Sequence, residues 1–107
     1  MAGTDWPRIV ALYDELYARQ PGPIVALNRG LAIAELRGPE AGRQELRALI
    51  DEGKLADYHF FWAALADLER RAGRPAQARP LYARALSLAR NEAEKVAYQR
   101  RLGQLTN

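Results

Sequence analysis

Residues 62–85 read WAALADLERRAGRPAQARPLYARA and predict two helices joined by a tight turn. Trp62 and Ala66 are four residues apart, so both lie on one face of the first helix. Gly73, with a proline two residues later, ends that helix and starts the next one. The second helix carries a small–large–small series at Ala78, Tyr82 and Ala85. Small residues let two helices cross closely, and large residues fill the space beside the crossing.

The same pattern returns when the sequence is compared with itself at an offset of 36 residues. Pro39 then falls on Pro75, and the other matches are Ala26 on Trp62, Gly30 on Ala66, Gly42 on Ala78 and Leu46 on Tyr82. Such spacing is typical of tetratricopeptide (TPR) units, helix–turn–helix hairpins with a period of about 34 residues that stack and hold other protein segments. The extra length fits in the connectors at 20–23 and 53–58.

Glycine, proline and capping residues divide the chain into six helices, and no segment alternates with the period of a strand. Asp5 is expected to cap the first helix, and Asn91 with Glu94 to form a capping arrangement at the last one. The predicted helices run from Asp5 to the turn at 21–23, then over 24–37, 39–50, 58–71, 75–89 and 91–105.

These helices predict an all-α fold: a TPR-like right-handed array of about six antiparallel helices. In this register a lone B helix comes first, two A–B repeats follow, and an A helix caps the end. Gly30 is expected to face Gly42 because a glycine inside a helix costs about 1 kcal/mol and implies close backbone approach. Residues 4–107 are expected to form a single domain, and residues 1–3 an added or disordered start.

Trp6 departs from the repeat pattern because it falls on the position where the repeats carry Gly42 and Ala78. A tryptophan there would clash with an A helix, but no A helix precedes it in this sequence. One alternative is that Trp6 folds inward and fills the vacancy. The other is that it marks a docking surface for a segment upstream.

Composition excludes several classes of protein. The absence of cysteine excludes disulfides, a cysteine nucleophile and thiolate metal sites. No apolar run approaches the roughly 18 residues that span a bilayer, and no signal peptide is visible, so we expect a cytoplasmic protein without membrane contact.

Charge is uneven along the sequence. Residues 1–53 carry 6 basic and 8 acidic side chains, whereas residues 54–107 carry 10 and 5. The basic half, with its arginines Arg70, Arg71, Arg74, Arg79, Arg84, Arg90, Arg100 and Arg101, could attract nucleic acid or an acidic partner. The alternative is a set of solvated helix faces, and we expect no direct nucleic-acid binding.

Catalytic constellations are not apparent in the sequence. His59 is the single histidine and is expected to cap or pack a helix, and Ser87 has no base at a plausible spacing. The glycines mark turns and crossings rather than a phosphate loop. We therefore expect no enzyme activity, no cofactor, no metal and no small-molecule substrate.

A partner-binding groove is the remaining prediction, because the A helices of stacked hairpins line the concave side. The residues assigned to that side are Ile24, Leu27, Leu31, Ala34 and Glu35 on the second helix, and Phe60, Ala63, Asp67, Arg70 and Arg71 on the fourth. A peptide with apolar anchors and a charged end would suit this face. Alternatively, its charges pair with one another on a solvated surface.

Asn28 and Arg29 stand out on the second helix because Arg29 falls on Leu65, an expected inter-helix contact. A buried arginine needs an acidic partner, and the candidates are Asp14, Glu35 and Asp67. One interpretation is an internal ion pair, and the other is a site that receives a partner's carboxylate.

Several short motifs share an order and spacing along almost the whole chain. They are Asp5-Trp6-x-x-Ile9, Ala26-Leu27-Asn28-Arg29, Gly38-Pro39-x-Ala41-Gly42, Tyr58-His59, Arg70-Arg71-x-Gly73-Arg74-Pro75, and Asn91-x-Ala93-Glu94 with Arg100-Arg101-Leu102. Together they resemble the C-terminal TPR extension of one subfamily of bacterial extracytoplasmic-function (ECF) sigma factors, which belong to the sigma-70 family. In that subfamily the extension follows two DNA- and polymerase-binding domains and modulates sigma activity.

The resemblance implies a non-catalytic protein-interaction domain that regulates transcription initiation by docking on its own upstream sigma domains or on RNA polymerase. Neither sigma domain has a counterpart in this sequence, so we expect a domain of a longer regulator. The implied docking surface is the Trp6 end or the concave face. The alternative function is a stand-alone TPR adaptor that binds a peptide of another partner, and a weaker one is nucleic-acid contact through the basic half.

Overall fold

The computed structural model describes residues 3–105, and within that range every regular element is a helix. Met1 and Ala2, which belong to the expected added start, lie outside the described residues, as do Thr106 and Asn107. The elements are α1 (Trp6–Arg19), α2 (Pro23–Arg37), α3 (Pro39–Ile50), α4 (His59–Arg71), α5 (Pro75–Leu88) and α6 (Glu92–Gln104). The prediction of an all-α protein with six helices is confirmed.

Both predicted helix caps form. Asp5 accepts a hydrogen bond from the backbone N–H of Arg8 at 3.2 Å, and Asn91 accepts one from the N–H of Glu94 at 2.9 Å. The Glu94 carboxylate in turn accepts from the N–H of Arg90, the residue before the cap, at 2.7 Å. These bonds satisfy backbone donors that a helix start otherwise leaves unpaired, which explains why α1 and α6 begin where they do.

The helix starts follow the 36-residue offset. α2 begins at Pro23 and α4 at His59, 36 residues later, and α3 begins at Pro39 and α5 at Pro75, again 36 residues later. Gly38 ends α2 with a φ of 98°, a backbone conformation that residues with a side chain rarely adopt. Its N–H donates a hydrogen bond to the Ala34 carbonyl. A helix–turn–helix unit therefore occurs twice with the same spacing.

The chain divides into two compact units, the first ending at Lys54 and the second beginning at Leu55. In the first, α2 packs against both α1 and α3, and in the second, α5 packs against both α4 and α6. The expected single domain and the right-handed TPR arrangement stay predictions.

Gly42 lies where α2 and α3 cross, and the predicted close approach to Gly30 is confirmed. A Cβ atom at Gly42 would lie 2.9 Å from the carbonyl oxygen of Gly30 and would overlap the Ala34 side chain. A Cβ at Gly30 would overlap the Leu46 side chain. Only residues without a side chain allow the two helices to come this close.

The core of the first unit includes Val10, Ala32 and Ile33, all less than 9% exposed. Trp6 is partly buried and packs against this cluster, together with Ile9, Tyr13, Leu36 and Ala41. The inward-folding alternative for Trp6 is therefore the one that the structure favours.

Residues of the quoted stretch form the core of the second unit. Trp62, Ala66, Ala78, Tyr82 and Ala85 are all buried, as the repeat register predicts. α5 continues through Pro80, an exposed residue in the helix interior. That proline removes one backbone hydrogen bond, so α5 owes its continuity to packing rather than to intrinsic propensity.

Candidate partner-binding surfaces

The face predicted on α2 is only partly available to a partner. Ile24 and Glu35 are exposed, and Asn28 and Leu31 are partly buried. The assignment of Leu27 and Ala34 to this face is wrong, because they are 1% and 2% exposed. Ala34 is buried against Gly42 at the α2–α3 crossing.

The face predicted on α4 combines an aromatic side chain with paired charges. Phe60 is 41% exposed, and Ala63, three residues later, is partly buried. Arg70 donates to Asp67 at 2.5 Å, and Arg71 lies 3.8 Å from the other carboxylate oxygen of Asp67. These charges thus pair with one another, which is the second of the two interpretations of this face.

Arg29 makes an internal ion pair, the first of the two interpretations of this residue. Its Nε donates to Asp14, and its Nη1 donates to Glu45 at 2.8 Å. Asp67, another of the candidates, pairs within α4 instead. The hydrogen bond that Arg29 donates to Asp14 raises the pKa of Arg29 and outweighs the opposing effect of burial, and Glu45 adds to the rise. Arg29 therefore joins all three helices of the first unit.

A cleft of about 330 Å³ lies beside this ion pair, entirely within the first unit. Its lining residues are Asp14 and Tyr17 of α1, Ala26 and Arg29 of α2, and Glu45, Ala48 and Leu49 of α3. An apolar patch with a few convergent charges is typical of a binding site. The sequence does not reveal this cleft, although Ala26 stands at the repeat position of Trp62.

α1 exposes much of its apolar surface. Leu12, Leu16 and Tyr17 are 51%, 39% and 39% exposed, whereas Val10 is the buried residue of this helix. Leu12 and Leu16 are four residues apart and share one face of the helix. This exposed apolar strip, formed by Leu12, Leu16 and Tyr17, makes α1 a candidate contact surface.

Trp62 is held on two sides by polar contacts that the sequence did not reveal. Its indole N–H donates to the carbonyl of Ala56 at 2.8 Å, and the guanidinium of Arg84 lies 4.5 Å from its ring centroid. Arg84 was predicted only as part of the basic excess. In the structure Arg84 instead covers the Trp62 ring through a cation–π contact.

His59 links α4 to α6. Its Nδ1 lies 2.6 Å from the Tyr98 hydroxyl, and its Nε2 lies 3.3 Å from a Glu94 carboxylate oxygen. Burial raises the pKa of Tyr98, and the charge of Glu94 adds to the rise. This arrangement gives His59 a packing role at the start of α4.

Part of the basic excess is also used inside the second unit. Arg79 donates to the carbonyl of Leu105 at 2.5 Å and so fixes the end of α6 to α5. Over residues 3–105 no group of three or more acidic or histidine side chains is placed to hold a metal ion. None of the helices in that range is both long enough and apolar enough to cross a membrane.

One relative is an uncharacterized protein, R00370, of Rhizobium meliloti (strain 1021), which is 34% identical to this chain over 102 residues. The match covers 95% of this chain but only 24% of the relative, so the chain spans about a quarter of that protein's length. No model of a known protein family matches the chain. No solved structure matches it either.

Proposed function

We propose that this chain is a non-catalytic, TPR-type interaction domain that regulates an ECF sigma factor. It would act in the bacterial cytoplasm by docking on sigma domains of the same regulator or on RNA polymerase. The observation that carries the proposal is the twofold occurrence of a small-residue helical hairpin at 36-residue spacing. The resemblance of the motifs from Asp5 to Leu102 to the sigma-factor extension supplies the partner.

The apolar strip of α1 is the favoured docking surface. Leu12 and Leu16 are exposed on it, while Trp6 supports the same helix from within the core. When a partner covers apolar side chains on a surface helix, the complex is stabilised by roughly 25 cal/mol for each Å² of apolar area removed from water.

A pull-down with purified sigma domains of the resembling subfamily tests this proposal. The wild-type chain should retain the sigma domains, and Leu16→Asp should lose them because it places a charge in the strip. Val96→Asp is the matched control, since Val96 is an exposed apolar residue on α6. A chain that retains no sigma domain, while remaining folded, would favour the TPR adaptor of an unrelated partner instead.

A further inference from the structure

The cleft of the first unit lies at the repeat position that an aromatic–arginine pair fills in the second. At the offset of 36 residues, Ala26 corresponds to Trp62 and Ala48 corresponds to Arg84. Both alanines line the cleft. The two side chains that form the cation–π contact in the second unit are thus both reduced to methyl groups in the first.

The second unit shows what such a position accommodates. Trp62 is only 7% exposed there, with its indole N–H bonded to a backbone carbonyl and its ring covered by Arg84. In the first unit the same register leaves a cleft of about 330 Å³, room for one indole ring. Large aromatic side chains bury about 150–250 Å² each and provide much of the affinity of protein interfaces.

The acidic side chains at the rim of the cleft favour a positively charged group next to an indole ring bound in it. Asp14 and Glu45 each use one carboxylate oxygen for Arg29, and their side chains are 52% and 44% exposed. Within residues 3–105 the second oxygen of each makes no hydrogen bond. One arginine between two carboxylates leaves a net charge of −1, which favours a further positive group.

We propose that the cleft binds a partner protein segment that inserts a tryptophan side chain between Ala26 and Ala48 and places an adjacent arginine against Asp14 and Glu45. The segment supplies from outside the pair that Trp62 and Arg84 supply within the second unit. This inference rests on the proposed function as a partner-binding domain, and it names the side chains that the partner contributes.

The probe is the capped dipeptide N-acetyl-Trp-Arg-amide, titrated into the whole chain and followed by NMR. It should shift the signals of Ala26, Arg29 and Ala48 saturably, at the millimolar affinity expected of one anchor. N-acetyl-Trp-Glu-amide should bind about two- to fivefold more weakly, as the loss of an exposed ion pair requires. N-acetyl-Ala-Arg-amide should cause no saturable shift.

Ala26→Trp is the decisive variant, because it should fill the cleft from within and abolish binding of the Trp-Arg probe. If this variant does not fold, as judged by its helical circular dichroism, Ala48→Leu obstructs the opposite wall and serves the same purpose. Shifts that lie elsewhere, equal binding of the Glu probe, or binding that survives the folded variant would each overturn the inference. Concentration-dependent shifts at Ala26 without a probe would also overturn it, because the occupant would then be a second copy of the chain.

The same variant separates this inference from the proposed function. If the probe binds as described but the wild-type chain retains no sigma domain, the cleft stands and the sigma-directed function fails. If Ala26→Trp retains sigma domains as well as the wild type does, the function stands and the cleft is not their docking site.

Discussion

Gly42 approaches the backbone of Gly30 so closely that a Cβ atom on Gly42 would lie 2.9 Å from the Gly30 carbonyl oxygen. This contact fixes how closely α2 and α3 cross, and with it the positions of Ala26 and Glu45 on the two sides of the cleft. The crossing is therefore the structural basis of the cleft that we propose binds a tryptophan side chain.

Gly42→Ala should destabilise the protein, because the added methyl group meets backbone and the rigid Ala34 side chain. Overpacking of this kind costs about 1–3 kcal/mol, which exceeds the gain of about 1 kcal/mol in helix propensity. Urea unfolding measures the difference. Gly103→Ala is the matched control on α6, where a Cβ would meet nothing within 4 Å, and it should be neutral or stabilising. Equal effects of the two substitutions would refute the close crossing.

Trp62 and Arg84 should be energetically coupled. Trp62→Ala is expected to cost about 3–5 kcal/mol because it empties a buried site, and Arg84→Ala about 0.5–1 kcal/mol. In a double-mutant cycle, Arg84→Ala should have little further effect once Trp62 is alanine. Arg90→Ala serves as the control, because Arg90 is exposed and its side chain makes no described contact with the ring. Additive costs at Trp62 and Arg84 would mean that the cation–π contact contributes nothing.

Stability should fall at alkaline pH, in part because of Tyr82. Burial raises the pKa of this tyrosine, although the nearby Arg70 partly offsets the rise. The neutral form is therefore favoured in the folded state. Its contribution is complete below the unfolded-state pKa of about 10 and is lost as the pH rises towards the folded-state value.

Tyr82→Phe should remove this contribution and make the loss of stability above about pH 10 shallower. At neutral pH the substitution should be nearly neutral, because the Tyr82 hydroxyl is buried without a well-formed hydrogen bond. Thermal unfolding of the wild type and the variant, at neutral pH and above about pH 10, measures both differences in stability. An unchanged alkaline slope would show that the raised pKa of Tyr82 does not govern stability in this range.

Pro80→Ala should stabilise α5. Pro80 is exposed in the helix interior, where a proline costs about 3 kcal/mol, and part of the gain is offset by the more flexible unfolded chain. The expected net gain is about 1–2 kcal/mol in denaturant unfolding. Pro75→Ala, at the tolerated start of the same helix, should change stability little. A loss of stability at Pro80 would indicate that the helix depends on a bend there.

The helices are predictable from the sequence because their signals are local. Gly38-Pro39 and Gly73 with Pro75 end one helix and begin the next, and the bounds of α3 came out as predicted. The Gly30–Gly42 crossing was also predictable, because a repeat offset carries information on packing.

Side-chain partners far apart in the sequence were harder to predict. The sequence offers Asp14 as one of three candidate partners for Arg29, but nothing in it indicates Glu45, which is 16 residues away. Leu27 and Ala34 were placed on the wrong surface because register alone does not say which side of a helix its neighbours cover. The cleft escaped prediction since it arises from two absent side chains, at Ala26 and Ala48.

The central claim is that this domain binds the sigma domains of an ECF sigma factor. Isothermal titration of the chain with those purified domains tests it most directly. The account predicts a saturable 1:1 interaction with a dissociation constant in the micromolar range, weakened at least about tenfold by Leu16→Asp and unchanged by Val96→Asp. No measurable binding by the folded wild-type chain, or binding that Leu16→Asp leaves intact, would contradict it.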